Sequence, residues 1–227
     1  MARINYAQLM QKYKAIGKGA VRLTQSSLYL SLPISNTQTT YNFEILESQT
    51  ANLTADQIRL NINDEFICTT LGIFAEGDLL QMGTPTGIKR LFTYSPIENV
   101  SSASRFENLW NGTLSVSVNN IVFLDKFDTR KHEYIGQTQW GSFAAGTQNA
   151  TQNNGQFSKS GMFPIEPSLT LSGSKKNQIT LQLPTALSTG ATIQITDNNA
   201  GTTSYGINRI GIMMRGLNAQ NGSVFQS

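Results

Sequence analysis

Leu114-Ser-Val-Ser-Val-Asn-Asn-Ile-Val-Phe-Leu124 is the stretch that decides the fold class. Leu114, Val116 and Val118 alternate with serines, the period of two expected of a strand buried on one face. Asn119-Asn120 offers two residues that tolerate a left-handed backbone, and Ile121-Val-Phe-Leu then resumes the apolar run, so the segment reads as a hairpin. A helix would instead repeat its apolar residues every three or four positions.

The same alternation extends in both directions. Upstream it recurs in Leu28-Tyr-Leu-Ser-Leu32, Tyr41-Asn-Phe-Glu-Ile45, Ile58-Arg-Leu-Asn-Ile62, Phe66-Ile-Cys-Thr-Thr-Leu-Gly-Ile-Phe74 and Ile88-Lys-Arg-Leu-Phe-Thr-Tyr94. Downstream come Leu169-Thr-Leu171, Ile179-Thr-Leu-Gln-Leu183, Ile193-Gln-Ile195 and Ile210-Gly-Ile-Met-Met214. Gly, Asn, Pro and Ser clusters separate these runs, including Asp197-Asn-Asn-Ala-Gly201, which reads as a hairpin turn. About twelve strand signals at this density predict an all-β sandwich or barrel.

Three stretches break the pattern. Near the N-terminus, Tyr6, Leu9, Met10 and Tyr13 recur at helical spacing among Lys12, Lys14, Lys18 and Arg22, and Gly17 and Gly19 act as a stop. This predicts a short basic helical arm suited to a neighbouring subunit, with an anionic membrane surface or nucleic-acid phosphates as weaker options. Val100, Phe106, Leu109 and Trp110 suggest a helical turn or two closed by Asn111-Gly112. Residues 138–161 are rich in Gln, Asn, Gly, Ala and Ser and carry no strand pattern, as a functional loop or linker would. The expected organisation is therefore a basic arm at 1–22, a first β region at 23–137, a Gln/Asn/Gly-rich loop at 138–163, and further strands at 164–227.

Composition narrows the function. The 227 residues are 39% hydrophobic and only 14% charged, against about a quarter charged in an ordinary globular chain. That is enough apolar material for a core and too little charge for a disordered chain. The sequence shows no apolar run of membrane-spanning length and no secretory leader. One cysteine precludes an internal disulfide framework, and one histidine leaves little for a His-based metal site. A net charge of +3 is weak support for nucleic-acid binding.

The candidates for chemistry each have a structural reading that outweighs the functional one. His132, in Asp128-Thr-Arg-Lys-His-Glu133, has carboxylates nearby in sequence but no nucleophile elbow or cysteine signature to accompany it. Asp64 and Glu65, and Glu44 and Glu47, are close carboxylate pairs, but sequence spacing across strands does not set them about a sugar. Asp64 is better read as starting a strand through an Asx-type turn. Gly83-Thr-Pro-Thr-Gly-Ile-Lys89 lacks phosphate-loop spacing, and Cys68 lies on an apolar strand as a buried thiol would. The expectation is a protein without catalytic residues, bound cofactor or metal. Its Asn, Gln, Ser and Thr in place of surface charge suit identical copies packed side by side. The same groups suit a lectin, with Trp110 and Trp140 stacking on sugar rings.

Ile62-Asn-Asp-Glu-Phe66, Leu109-Trp-Asn-Gly112, Phe127-Asp-Thr129, Glu166-Pro-Ser-Leu-Thr-Leu-Ser-Gly173 and Met214-Arg-Gly216 resemble segments of phage structural proteins. Over residues 28–217 the texture is similar to the small major capsid proteins of lipid-containing icosahedral phages of the double jelly-roll lineage that infect Bacteroidetes. The resemblance implies a jelly-roll sandwich, in its minimal double form, with a short N-terminal helical arm. It also implies trimeric capsomers that self-assemble into an icosahedral shell with other virion proteins, after synthesis in the host cytoplasm. The arm residues Tyr6, Leu9, Met10, Lys12, Tyr13 and Lys14 would then make an inter-subunit or inward-facing contact, including contact with an internal membrane, and no specific nucleic-acid binding is expected. Two complete jelly rolls need ~16 strands, more than the signals counted here, so a single elaborated jelly roll stays open. The alternative is a minor capsid, spike or carbohydrate-binding β-sandwich protein that uses Trp110 or Trp140.

Overall fold

A computed structural model describes residues 6–15, 21–47, 57–93, 107–133, 161–187, 191–197 and 201–223. The chain is predominantly β. One helix, α1 (Tyr6–Ala15), precedes β1 (Arg22–Pro33), β2 (Thr40–Phe43), β3 (Glu65–Gln81), β4 (Thr84–Phe92), β5 (Thr113–Val118) and β6 (Ile121–Asp128). After the 138–161 stretch come β7 (Met162–Ser172), β8 (Asn177–Gln182), β9 (Ala191–Asp197) and β10 (Gly201–Gln220). Short 3-10 turns at Glu107–Asn111 and Thr129–His132 flank the β5–β6 hairpin. Asn119 and Asn120 have φ of 52° and 66°, the left-handed pair that a two-residue hairpin turn requires.

Two antiparallel sheets result. Sheet A follows the order β1-β10-β3-β4, with β7 also on β3 and β9 also on β10; sheet B follows β2-β8-β5-β6. The long strands are each shared along one edge. β3 pairs with β7 through Glu65–Gly72 and with β4 through Ala75–Gln81. β10 pairs with β9 through Gly201–Ile207 and with β1 through Arg209–Gln220. Strands from before and after residues 138–161 thus interleave in both sheets, and all ten strands among the described residues belong to this one pair of sheets.

The sheets face one another across a single apolar layer. Period-two alternation sends Leu28 and Leu30 of β1, Phe66 and Cys68 of β3, and Ile210, Ile212 and Met214 of β10 inward from sheet A. From sheet B come Tyr41 and Phe43, Leu114 and Val116, and Ile179 and Leu181. Burial of this kind stabilises by roughly 1.5–3 kcal/mol for each large apolar side chain. Leu109 and Trp110 of the first 3-10 turn complete the same cluster.

The sequence pattern fails at Ile58–Ile62. This stretch makes only isolated bridges, Tyr29 with Ile58 and Leu46 with Leu60, and leaves Ile58 and Ile62 about half exposed at 51% and 54%. Asp64 does not form the Asx turn expected of it. Asn61 does, accepting from the Asn63 N–H, while the Asp64 carboxylate accepts from Asn218 Nδ2 and the Asn221 N–H and so ties the end of β10 to the start of β3.

The outer face of sheet A holds a buried carboxylate. Glu76 of β3 is 0% exposed and accepts from the Tyr29 hydroxyl and from Ser31 Oγ at 2.7 Å, both on β1. Lys89 of β4 places its ammonium 2.8 Å away, and Arg209 of β10 donates to Ser31 Oγ and lies 4.0 Å from the carboxylate. Glycine makes this reach feasible. A Cβ at Gly211 would lie 2.7 Å from the Tyr29 hydroxyl, so only a bare backbone lets the tyrosine cross β10 to reach β3. Four neighbouring strands are clasped by one acid. Glu76→Ala should lower stability by about 3–5 kcal/mol, because it strands buried donors and a partly buried cation. Guanidinium unfolding would measure this, and a loss no greater than that of an exposed-surface substitution such as Gln178→Ala would contradict it.

Candidate functional site

The described side chains between the sheets form one apolar cluster, and on the outside sheet B offers the most distinctive surface. Alternation that sends Tyr41, Phe43, Leu114, Val116, Ile179 and Leu181 inward turns the intervening residues outward. Those residues are Thr40 and Asn42 on β2, Gln178, Thr180 and Gln182 on β8, and Thr113, Ser115 and Ser117 on β5. Register sets them in rows: Asn42, Thr180 and Ser115 lie side by side, as do Thr40, Gln182 and Thr113. Thr180 Oγ1 donates to Asn42 Oδ1 at 2.8 Å. Every group on this three-strand face is a hydroxyl or an amide, and none is charged.

At the edge of that face stands β6, which among the described residues pairs with β5 alone. Ile121, Val122 and Phe123 are 63%, 59% and 47% exposed. Register shifts opposite Val116, and a φ of 46° at Lys126, mark bulges at Phe123 and at Asp125–Lys126. Bulges and charges are devices that blunt a sheet edge. Here they guard the second half of β6 and leave the apolar first half uncovered. The sequence carried a signal for this: Ile121-Val-Phe-Leu124 is apolar at four successive positions, where a strand with one wet face should alternate.

The expected arm residues divide. Leu9, Met10 and Tyr13 pack on the chain's own sheet A beside Val21, Leu23, Ile67, Leu217 and Ala219. Tyr13 is 2% exposed and donates its hydroxyl to Glu65 Oε2 at 2.9 Å; burial, with the Glu65 charge adding to it, pushes its ionisation far up. The exposed side of α1 is formed by Ala7, Gln8 and Gln11. Tyr6, Lys12 and Lys14 lie on the helix, with side chains outside the described residues.

Trp110 requires a correction. At 1% exposure its ring fills the core, so it presents no face on which a sugar could stack. Trp140 lies outside the described residues.

The acidic candidates each have a structural partner and do not converge. Asp128 caps the 129–132 turn and holds Arg130 through both carboxylate oxygens, an arrangement that keeps its pKa low. Glu44 pairs with Arg59 at 3.5 Å, and Glu47 accepts from Asn61. Burial pushes the Cys68 thiol up to about 12, which makes it inert at neutral pH. Among the described residues no group of three His, Cys, Asp or Glu side chains is placed to hold a metal ion, and no helix is long and apolar enough to cross a membrane.

His132 is wholly buried, its ring centroid 5.6 Å from that of Phe127 and 6.3 Å from that of Phe163. The Lys131 ammonium sits over the same two rings. Neither imidazole nitrogen makes a well-formed hydrogen bond among the described residues, though the Gly161 and Leu71 carbonyls lie close enough to favour the protonated form. Burial outweighs them and lowers the pKa to about 4.

Comparison with known proteins finds no matching family model, no matching curated protein and no matching solved structure. The functional reading therefore rests on geometry.

A group whose pKa falls on folding binds fewer protons folded than unfolded, so stability declines as the pH drops through the interval. For His132 that interval runs from about 6.5 down to about 4, and the loss across it is about 3 kcal/mol. Urea unfolding at pH 7 and pH 4.5 should show a smaller drop in His132→Leu than in the parent chain. Equal drops would clear His132 of the effect.

Proposed function

We propose that this chain is a structural virion protein, a capsid subunit with a single jelly-roll body that acts by self-assembly and without catalysis. The observation that carries the reading is the strand order. β4 and β9 extend β3 and β10 as hairpins; without them the sheets read β1-β10-β3-β7 and β2-β8-β5-β6. Successive strands switch sheet at every connection except the β5–β6 hairpin. This is the order generated by two interlocked Greek keys, the arrangement of viral capsid and lectin domains. The ten strands among the described residues share one pair of sheets, which favours the single form over the double one, which needs ~16.

Two further features support assembly over ligand binding. The space between the sheets is filled by side chains such as Phe66, Leu114 and Ile179, all 0% exposed, so the working surface is the outside of the barrel. The outward face formed by β2, β8 and β5 carries no charge that an identical neighbour would repel. In the assembled virion, trimeric capsomers would be held by several modest contacts per subunit, which multiply in a closed lattice. The helical arm contributes from its Ala7, Gln8 and Gln11 side as α1 is docked, and would turn its apolar face to a membrane or neighbour only by leaving sheet A.

A glycan-binding spike is the second reading. It is favoured by the hydroxyl and amide rows on sheet B, with Phe123 as the exposed aromatic beside them. Light scattering of the purified chain over a range of concentrations, followed by negative-stain imaging, separates the two. Trimers with a pseudo-hexagonal outline, or closed shells, are expected. A monomer at every concentration would overturn the capsid reading, and a positive glycan array would then favour the spike.

A further inference from the structure

We infer that the turn Thr129–His132 is an acid-sensitive clasp: a proton taken up at His132 parts residues 130–133 from the start of β7 while the two sheets stay folded. The inference goes beyond the capsid reading and does not depend on it.

The turn ties the end of β6, in sheet B, to β7, in sheet A. Thr129 secures its first residue, with Oγ1 accepting from the Gly112 N–H at 2.8 Å and donating to the Gly112 carbonyl at 3.0 Å. Of residues 130–133, only His132 is buried. Its ring lies against Phe127 of β6 and Phe163 of β7, and the Lys131 ammonium is 4.5 and 5.2 Å from the same two ring centroids. Gly161 passes close beside the turn with a φ of 73°. A Cβ there would lie 3.2 Å from the His132 carbonyl oxygen and 2.7 Å from Thr93 Cγ2. One imidazole therefore fills the joint between the last residues of β6 and the first of β7.

That joint accepts the ring only while it is neutral. Neither nitrogen makes a well-formed hydrogen bond among the described residues, and an apolar box gives a charged ring nothing in return for its lost water. From the elements packed against the ring, β6 brings Phe127, β7 Phe163 and β3 Leu71, none of them titratable. The charges that reach it come from its own turn. Lys131 opposes a second cation, and Asp128 favours one but is already engaged by Arg130. Protonation is thus easier once the ring has left the joint for water. With a pKa of about 4 closed and about 6.5 open, the open form gains roughly 25-fold in population between pH 7.5 and pH 5. The opening stays local because β3 and β10 are each paired along both edges and do not rely on the turn.

Backbone hydrogen exchange of the full chain at pH 7.5 and pH 5, with exchange times scaled for the chemical rate, tests the clasp. Peptides over 127–133 and 161–165 are expected to lose roughly 25-fold in protection at pH 5, while peptides within β10 keep theirs. The loss is expected to vanish in His132→Leu, whose fold circular dichroism would check. The chain has a single histidine, so the parent alone gives a second readout. As the pH falls, its imidazole proton resonance is expected to divide into a buried neutral signal and an exposed protonated one. Unchanged protection at pH 5, an equal loss in β10, or a loss that persists in folded His132→Leu would each overturn the clasp. So would a single imidazole signal that titrates in place near pH 6.5.

Discussion

The last strand of the fold lies between the first and the third, and sheet A depends on that insertion. Until β10 is in place, the facing edges of β1 and β3 expose a row of backbone N–H and C=O groups that the folded interior has no water to satisfy. β10 covers both edges at once. It also supplies Ile210, Ile212 and Met214 to the core and Arg209 to the carboxylate cluster. A Cβ at Gly216 would run into the Ile67 carbonyl at the point where the β10–β3 register shifts, so the close approach of the two longest strands requires glycine there. Pairings this distant in sequence carry a large loop-closure cost, and the buried Glu76 clasp helps offset it by joining β1, β10, β3 and β4 in one step.

Among the described residues the space between the sheets is packed with phenylalanine, leucine and isoleucine side chains, which leaves the outer surface to carry the proposed function. The outer face of sheet A is largely occupied by the chain itself, with Tyr13 and its neighbours at one end and the Glu76 cluster further along. Sheet B has no such cover among the described residues. It presents hydroxyls, amides and an apolar edge, a combination that tolerates close approach of another protein surface without unpaired charges.

The strands were legible because one wet face imposes a period of two, and Leu114–Leu124 states both strands and the turn between them. Their lengths were less legible. Gly72, Gly77 and Gly211 interrupt the apolar pattern inside β3 and β10, where they make room for neighbouring side chains, so one long strand reads as two short ones. Ile58–Ile62 shows the reverse failure, a good pattern that gains no neighbouring strand to complete a ladder. Trp110 could not be placed from sequence, since a tryptophan suited to stacking on sugar is equally suited to filling a core. Glu76 stands in a largely apolar stretch from Phe66 to Leu80, two residues from a second acid, Asp78, and its partners come from three other strands that no local rule names. The β6 edge was also visible as a failure of alternation, and there Ile121, Val122 and Phe123 are exposed.

The central claim is the proposal that this chain works through contacts between its own copies on the outside of its two packed sheets. Hydrogen–deuterium exchange at low and high protein concentration tests it most directly. The account predicts that β3 and β10 exchange slowly at both concentrations, while amides of 113–128 gain protection only as copies meet. Exchange in 113–128 that does not change with concentration, or β10 exchanging as fast as the tip of the β3–β4 hairpin, would contradict it.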